Sequence, residues 1–287
     1  MKKRKPIMRA SSVLYACLIY LLLYLPIIVV IWFSFNTSKL NVTFDGFTLE
    51  WYVKMWSNKG LMDAFKNSMI IALVTTLASI FVGTLASVGM YRYSFKGKGI
   101  IDSLLYIPIV IPELILGLAL LLFFNFFKIE LGMLTLIIAH VTFSLPFVVI
   151  TVRSRMAGFD RSVEEAAMDL GASSFRTFYK VTLPIIAPGV MSGAMLALTL
   201  SLDDVIVSFF TTGSKSMTLP VKIYGMVRTG VSPDVNALST LMILGTVLIM
   251  MLMNLFNKRA EERIKGKSEN IERENQPQVP TEQITNY

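Results

Sequence analysis

The sequence predicts an all-α polytopic membrane protein with six transmembrane helices, and three observations support this fold class. Hydrophobic residues make up 54% of the 287 residues and charged residues only 16%, which is too apolar for an ordinary soluble domain. Six largely uncharged stretches are each long enough to cross the roughly 30 Å hydrocarbon core of a bilayer. Basic residues are concentrated in alternate connecting segments, as they are in polytopic membrane proteins.

The predicted spans follow from the lengths of the apolar stretches. Residues 13–35 contain no charged side chain and are too long for the apolar region of a cleaved signal peptide, so we expect a retained helix. The other spans are predicted at residues 68–91, 103–127, 131–152, 187–210 and 236–257. They define a membrane domain at residues 13–260, with a basic segment at 1–12 before it. The polar tail at 267–287 is rich in Pro and Gln, and we expect it to be disordered.

The orientation follows from the distribution of positive charge. With six spans, 19 of the 27 Lys and Arg residues fall on the same side as the N-terminus and 8 fall on the opposite side. The positive-inside rule therefore predicts that both termini are cytoplasmic. This topology, together with contact with anionic membrane lipid, accounts for the net charge of +8, so we expect no nucleic-acid partner.

The first outer segment, residues 36–67, is predicted to contain a short helix at the membrane interface. Trp51, Tyr52, Met55 and Trp56 recur at helical spacing within it. Interfacial anchoring is the favoured role of the two tryptophans, because aromatic rings concentrate at the boundary between lipid and water. Trp51 is also a candidate contact in a substrate pathway.

Cysteine and histidine are too scarce for thiolate chemistry or a metal centre. Cys17 is the only cysteine, so no disulfide can form within the chain, and we expect no bound metal. His140 is the only histidine and lies in the fourth predicted span. A hydrogen bond to a neighbouring helix, or to a carbonyl freed by Pro146, is favoured over a proton-relay role.

The inner loop at residues 153–186 carries the most specific local pattern. Ser162 and Glu165 have the spacing of a capping box, and Gly171 stands where a glycine ends a helix, so a helix is predicted at residues 163–170. Two turns are marginally stable alone, so this helix should pack against another surface. A second short helix is predicted at 174–181, ending before Pro184.

Within this loop the sequence resembles the EAA loop of ABC importer permeases. Glu165-Ala166-Ala167 is followed by three residues, Gly171, nine residues and then Val181-Thr182-Leu183-Pro184, with Val181 in place of the usual isoleucine. The resemblance implies a type I ABC importer permease fold in a bacterial inner membrane. It also implies a coupling helix that docks on a cytoplasmic ATPase through Glu165, Ala166, Ala167, Leu170 and Gly171.

Two further stretches, SLDDVIVSFFTTG and TLPVKIYGMVRTGVSPDVNALSTLMI, are similar to spermidine/putrescine importer permeases. This similarity implies three partners: a second homologous permease subunit, a dimer of cytoplasmic ATP-binding subunits and an extracytoplasmic polyamine-binding protein. The chain lacks a phosphate-binding loop, because Glu261 stands where the first glycine should precede Gly266-Lys267-Ser268. We therefore expect no cofactor and no catalytic residue here, with ATP and magnesium on the partner ATPase.

Three carboxylates fall within predicted spans: Glu113, Asp203 and Asp204. Such groups are costly in lipid and usually face a wet interior, which suits the passage of a cationic polyamine. Consecutive helical residues point about 100° apart, so one aspartate should line the pathway while the other pairs elsewhere or caps a broken helix. Asp204 is favoured for the pathway because it shares the more polar face. Glu113 follows Pro112 and is equally compatible with a capping role.

Other functions remain open at this point. The nearest alternative is an ABC importer permease for another small solute, such as a quaternary amine, a metal complex or an anion. A proton-coupled secondary transporter would leave the EAA loop unexplained. An intramembrane aspartyl protease is disfavoured, because its two aspartates must face each other from different helices, whereas Asp203 and Asp204 are adjacent.

Overall fold

The computed structural model describes residues 6–39, 43–227 and 233–274, and these residues are predominantly helical. Twelve α-helices are formed within those ranges, with a π-helical turn at Phe178–Thr182 between α8 and α9. They are α1 (Pro6–Phe33), α2 (Glu50–Ser57), α3 (Lys59–Arg92), α4 (Lys98–Val110), α5 (Glu113–Phe126), α6 (Met133–Met156), α7 (Ser162–Asp169), α8 (Ser174–Thr177), α9 (Leu183–Asp203), α10 (Ile206–Thr211), α11 (Leu219–Val227) and α12 (Pro233–Glu274).

The described residues contain five candidate membrane spans, or the predicted six if a bent pair of helices counts as one span. Five helical segments are long and apolar enough to cross a bilayer: Ser12–Phe33, Lys59–Arg92, Met133–Met156, Ser174–Asp203 and Pro233–Leu252. Helices α4 and α5 supply a sixth span if this pair, which is bent by 112° at a short break, counts as one. The span predicted at 103–127 is therefore a bent pair of helices and not one continuous helix. Pro112 explains the bend, because proline disfavours helical backbone at the preceding residue and donates no N–H.

The fifth span, predicted at 187–210, is interrupted, as expected if one of the two aspartates caps a broken helix. Helix α9 ends at Asp203, and α10 begins only at Ile206. The carboxylate of Asp204 accepts hydrogen bonds from the backbone N–H groups of Val207 and Ser208. Those bonds offer the backbone an alternative to helical continuation, which is why short polar side chains favour helix starts over helix interiors.

The inner loop forms its predicted helix but not its predicted cap. Ser162 is the first residue of α7 and makes no capping bond; its backbone N–H instead donates to Asp160 at 2.9 Å. This bond, with a second from the Ser162 hydroxyl, lowers the pKa of Asp160 below its usual value. At the other end Gly171 has φ +87°, and the N–H groups of Gly171 and Ala172 donate back to the last turn of α7. Glycine is favoured there because other residues rarely adopt positive φ.

The segment after α7 continues directly into the fifth span. Pro184 was expected to end a separate helix, but the π-helical turn at Phe178–Thr182 joins α8 to α9 without a break. In this turn the backbone N–H of Leu183 donates to the carbonyl of Phe178, five residues earlier, and Pro184 follows as the second residue of α9.

Helix α12 also departs from the prediction. It extends through Glu274, so the tail predicted to be disordered from 267 is helical as far as that residue, while 275–287 lie outside the described residues. Glu, Lys and Arg are good helix formers, and extending an existing helix avoids the cost of nucleation.

The chain divides into two compact units. One comprises Met1–Val74, Ile111–His140 and Thr199–Leu248, and the other comprises Thr75–Val110, Val141–Leu198 and Ile249–Tyr287. The first unit has a buried cluster formed by Met55, Leu61, Ala64, Leu219 and Leu238. The second has a buried cluster formed by Val88, Val148, Val152, Met156, Ile186 and Ala197.

Candidate functional site

The adjacent aspartates at the end of α9 lie in opposite environments. Asp203 is the last residue of α9 and is exposed, whereas Asp204 is 9% exposed. The preference for Asp204 as the pathway residue assumed one continuous helix, and that premise is wrong because the helix ends between the two residues. Asp204 therefore has the position of a capping residue, and Asp203 has the position of a group that meets solvent or a ligand.

Both carboxylate oxygens of Asp204 are used inside the fold. One oxygen accepts from the backbone N–H of Val207 at 3.1 Å, and the other accepts from that of Ser208 at 2.7 Å. The second oxygen also lies 3.5 Å from Nε2 of His140. A buried carboxylate is tolerated only when its oxygens have such partners, so these contacts explain how an intramembrane charge is stabilised here.

Two exposed carboxylates of the first compact unit, those of Glu113 and Asp203, are called the acidic group below. Glu113 is the first residue of α5 and is exposed, and its negative charge repels that of Asp203. Asp203 also stands at the carbonyl end of α9, where the helix dipole adds partial negative charge. Two carboxylates and a helix C-terminus attract a cation, and their exposure lets a cation bind and leave.

The position of this group depends on close contact between α10 and α5. A Cβ atom on Gly117 would lie 2.8 Å from Cδ2 of Phe210 and 3.3 Å from Cα of Val207. Only glycine permits this approach, which was not evident from the sequence. Helix α10 therefore packs directly on the helix that Glu113 begins.

Trp51 occupies a buried position in the outer segment. Its indole N–H donates to the carbonyl of Asn36 at 2.6 Å, and the ammonium of Lys54 lies 4.7 Å from the ring centroid. Helix α2 is thus present as predicted, but it buries Trp51 and Met55 while Trp56 stays exposed. No described contact links Trp51 to the acidic group, and its proposed pathway role stays a prediction.

The predicted coupling residues lie on and just after α7. Glu165 and Ala166 are exposed, Ala167 is half-buried and Leu170 is 91% exposed. A Cβ atom on Gly171 would have no neighbour within 4 Å. The exposed apolar surface continues with Phe175 and Tyr179, and such a surface is typical of a protein interface.

Glu164 was missed by the sequence reasoning and is the most constrained residue of α7. It is 6% exposed, forms an ion pair with Arg92 and accepts a hydrogen bond from the hydroxyl of Thr182. Arg161 donates to the carbonyl oxygens of Tyr91 at 2.8 Å and Arg92 at 3.2 Å. These contacts fix α7 to the C-terminal end of α3. The adjacent Glu164 and Glu165 are indistinguishable by residue type, so only the helical phase of α7 could have separated them.

The acidic group consists of two carboxylates, which attract cations. Within residues 6–39, 43–227 and 233–274, no three His, Cys, Asp or Glu side chains are grouped to hold a metal ion. The only buried histidine among them, His140, is hydrogen-bonded to serine hydroxyls at both ring nitrogens.

Comparison with known proteins gives consistent matches. The family described as binding-protein-dependent transport system inner membrane component matches residues 77–266. The chain is 40% identical over 253 residues to the spermidine/putrescine transport system permease protein PotC of Escherichia coli K12, covering 88% of this chain and 95% of that protein. It is also 40% identical over 235 residues to the putrescine transport system permease protein PotI of Escherichia coli K12, covering 79% and 83%.

A solved structure supports the fold. The crystal structure of a bacterial ABC transporter involved in the import of the acidic polysaccharide alginate superimposes with a TM-score of 0.68, covering 89% of this chain and 99% of that chain. The sequences are 13% identical, so this likeness concerns the fold alone.

Proposed function

Because the chain belongs to the family of binding-protein-dependent transport system inner membrane components, we propose that it is the permease subunit of an ATP-driven importer of polyamines such as spermidine and putrescine. It is a transport subunit and not an enzyme. The observation that carries the substrate class is the similarity to two polyamine permeases over most of the chain. The chemistry of the acidic group supports the same class.

Polyamines carry several protonated amines separated by short methylene chains, so their route requires carboxylates that bind weakly and in succession. Asp203 and Glu113 are exposed and interact electrostatically with each other. Together they provide adjoining sites for ammonium groups, and their solvation keeps each interaction weak enough for release. Asp204 has a positioning role at the start of α10, because both of its oxygens already accept hydrogen bonds.

Transport requires other chains. A second homologous permease subunit completes the pathway, an extracytoplasmic binding protein delivers the polyamine, and two cytoplasmic subunits bind ATP with magnesium. The surface formed by Glu165, Ala166, Ala167, Leu170 and Gly171 docks on an ATP-binding subunit, with both termini of this chain cytoplasmic. Its exposure and the resemblance to the EAA loop support this assignment. Closure of the ATP-binding subunits moves α7 and thereby switches the accessible side of the pathway.

The substrate class is tested by uptake in a bacterial strain that lacks its own polyamine importers and expresses this chain with its full set of partner subunits. Uptake of labelled spermidine should depend on this chain and be inhibited by unlabelled putrescine or spermidine, but not by a quaternary amine such as choline. Absence of polyamine uptake, with uptake of labelled choline that depends on this chain instead, would reassign the chain to another solute. Glu50→Gln is a suitable control, because Glu50 is exposed and forms a surface ion pair with Lys54 in the next turn.

A further inference from the structure

The break between α9 and α10 has one exposed face and one buried face. Asp203, Ile206 and Phe209 are exposed, whereas Asp204, Val207 and Ser208 are buried. Helix α10 has only six residues, and a helix of this length has too little internal stability to fix its own orientation. The orientation of α10 relative to the end of α9, where Asp203 lies, therefore depends on contacts from outside α10.

His140 on α6 makes contacts on both sides of the break. Its Nδ1 lies 2.7 Å from the hydroxyl of Ser201 on α9, and its Nε2 lies 2.9 Å from the hydroxyl of Ser208 on α10. The ring is fully buried. Serine hydroxyls can donate or accept, so both bonds persist in either tautomer, and the rigid ring holds the two hydroxyls at a fixed separation.

A second contact from α6 holds the far end of α10. The hydroxyl of Thr135 donates to the carbonyl of Thr211 at 2.8 Å. Helix α6 therefore contacts α10 at both ends, while the close approach at Gly117 seats α10 on α5. Of these contacts, those of His140 alone reach across the break to α9, on which Asp203 lies.

We infer that His140 is a positioning residue that holds the break so that Asp203 is exposed and Asp204 is buried. This inference rests on the proposed function, in which Asp203 meets the cation. His140 does not touch the substrate. It acts through Ser201 and Ser208, and its loss should let α10 rotate and exchange the two faces.

The orientation of α10 is measured by thiol labelling of the assembled transporter in lipid nanodiscs. In a Cys17→Ser background, a cysteine is placed at exposed Ile206 or at buried Val207, and reaction with a charged methanethiosulfonate is followed on this subunit by mass. The cysteine at 206 should react faster than that at 207. Adding His140→Ala removes two buried hydrogen bonds, which should increase labelling at 207 by about tenfold.

Variants of His140, Ser201 and Ser208 distinguish a loss of the orientation of α10 from a general destabilisation of the protein. His140→Gln keeps a donor and an acceptor and should retain more of the labelling difference than His140→Ala. Ser201→Ala with Ser208→Ala should reproduce His140→Ala and add nothing to it, because the three residues act as one unit. Should His140→Ala fail to assemble, Ser208→Ala alone removes one of the two bonds and should shift labelling in the same direction. Ser144→Ala is the matched control, since its hydroxyl is buried on α6 without a hydrogen-bond partner among the described residues.

Uptake measured in parallel distinguishes the inference from the proposed function. Increased labelling at 207 with an approximately tenfold loss of spermidine uptake supports both. Increased labelling with wild-type uptake supports the positioning role and overturns the pathway role of Asp203. Unchanged labelling in His140→Ala and in the double serine variant overturns the inference, whatever the uptake.

Discussion

Arg92 at the end of α3 and Glu164 in the first turn of α7 form an ion pair that is largely hidden from solvent. Thr182 donates to the same carboxylate, and Arg161 donates to the carbonyl oxygens that end α3. Helix α7 is thereby held to α3 by side chains, in addition to its covalent connection to the fifth span. Movement of α7 by an ATP-binding subunit would reach α3 directly.

Glu164→Gln should destabilise the protein, because it leaves the guanidinium of Arg92 without its charged partner. Breaking a buried ion pair costs about 3 kcal/mol. The Tm of the purified subunit in detergent should therefore fall, whereas Glu165→Gln should leave it unchanged because Glu165 is exposed. Adding Arg92→Gln to Glu164→Gln should recover part of the loss. Equal Tm values for the two single variants would contradict this role of Glu164.

Substitutions of Gly171 show whether the positive φ or the lack of a side chain is what the end of α7 requires. Because φ is +87° and a Cβ atom added there would meet no other atom within 4 Å, the cost of a side chain is conformational and not steric. Gly171→Asn should be tolerated, since asparagine adopts positive φ readily, while Gly171→Val should cost about 1 to 2 kcal/mol. Co-purification of the ATP-binding subunit checks both variants. Equal loss for Asn and Val would indicate a clash with the partner instead.

Gly117→Val should displace α10 from α5. The added Cβ would approach both Phe210 and the backbone of Val207, and overpacking of this kind costs about 1 to 3 kcal/mol. We expect a lower Tm and reduced spermidine uptake, partly restored by Phe210→Ala. Gly89→Ala serves as the control, because nothing lies within 4 Å of its Cβ position. A Tm for Gly117→Val equal to that of Gly89→Ala would argue against the close contact.

Leu170→Asp should abolish docking of the ATP-binding subunit without lowering the stability of this chain. The side chain is 91% exposed, so the substitution removes no internal packing and should change the Tm of the isolated subunit very little. A charge in an apolar interface should nevertheless abolish co-purification of the ATP-binding subunit. Leu49→Asp, in the exposed outer segment, is the matched control and should keep that association. If Leu170→Asp kept it as well, Leu170 would not belong to the docking surface.

The sequence predicted the elements that depend on long-range pattern. Hydropathy located the long spans, and the glycine at position 171 marked the end of α7 correctly. Hydropathy measures the length of an apolar stretch and not the continuity of its backbone, so it left open whether the helix breaks at the two aspartates and which of them caps the break. That interruption depends on where the Asp204 side chain finds hydrogen-bond donors.

The arrangement of the site could be predicted less well than the spans, because it also depends on where helices end and how they pack. The sequence identified Glu113, Asp203 and Asp204 as costly charges, but which aspartate is exposed depends on the end of α9. The predicted hydrogen bonding of His140 to a neighbouring helix is confirmed, yet its two serine partners are 61 and 68 residues away along the chain. Such partners are defined only by tertiary packing.

The central claim is that Asp203 meets the cation while Asp204 caps α10, and spermidine uptake by four variants tests it most directly. Asparagine removes the charge but keeps one oxygen that can accept one of the two capping hydrogen bonds, and it is a good capping residue, whereas alanine has no acceptor. We predict that Asp203→Asn and Asp203→Ala both lose uptake at an unchanged Tm. Asp204→Asn should keep most uptake, and Asp204→Ala should lose both uptake and stability. Wild-type uptake by Asp203→Asn, together with loss of uptake in Asp204→Asn at an unchanged Tm, would contradict the account.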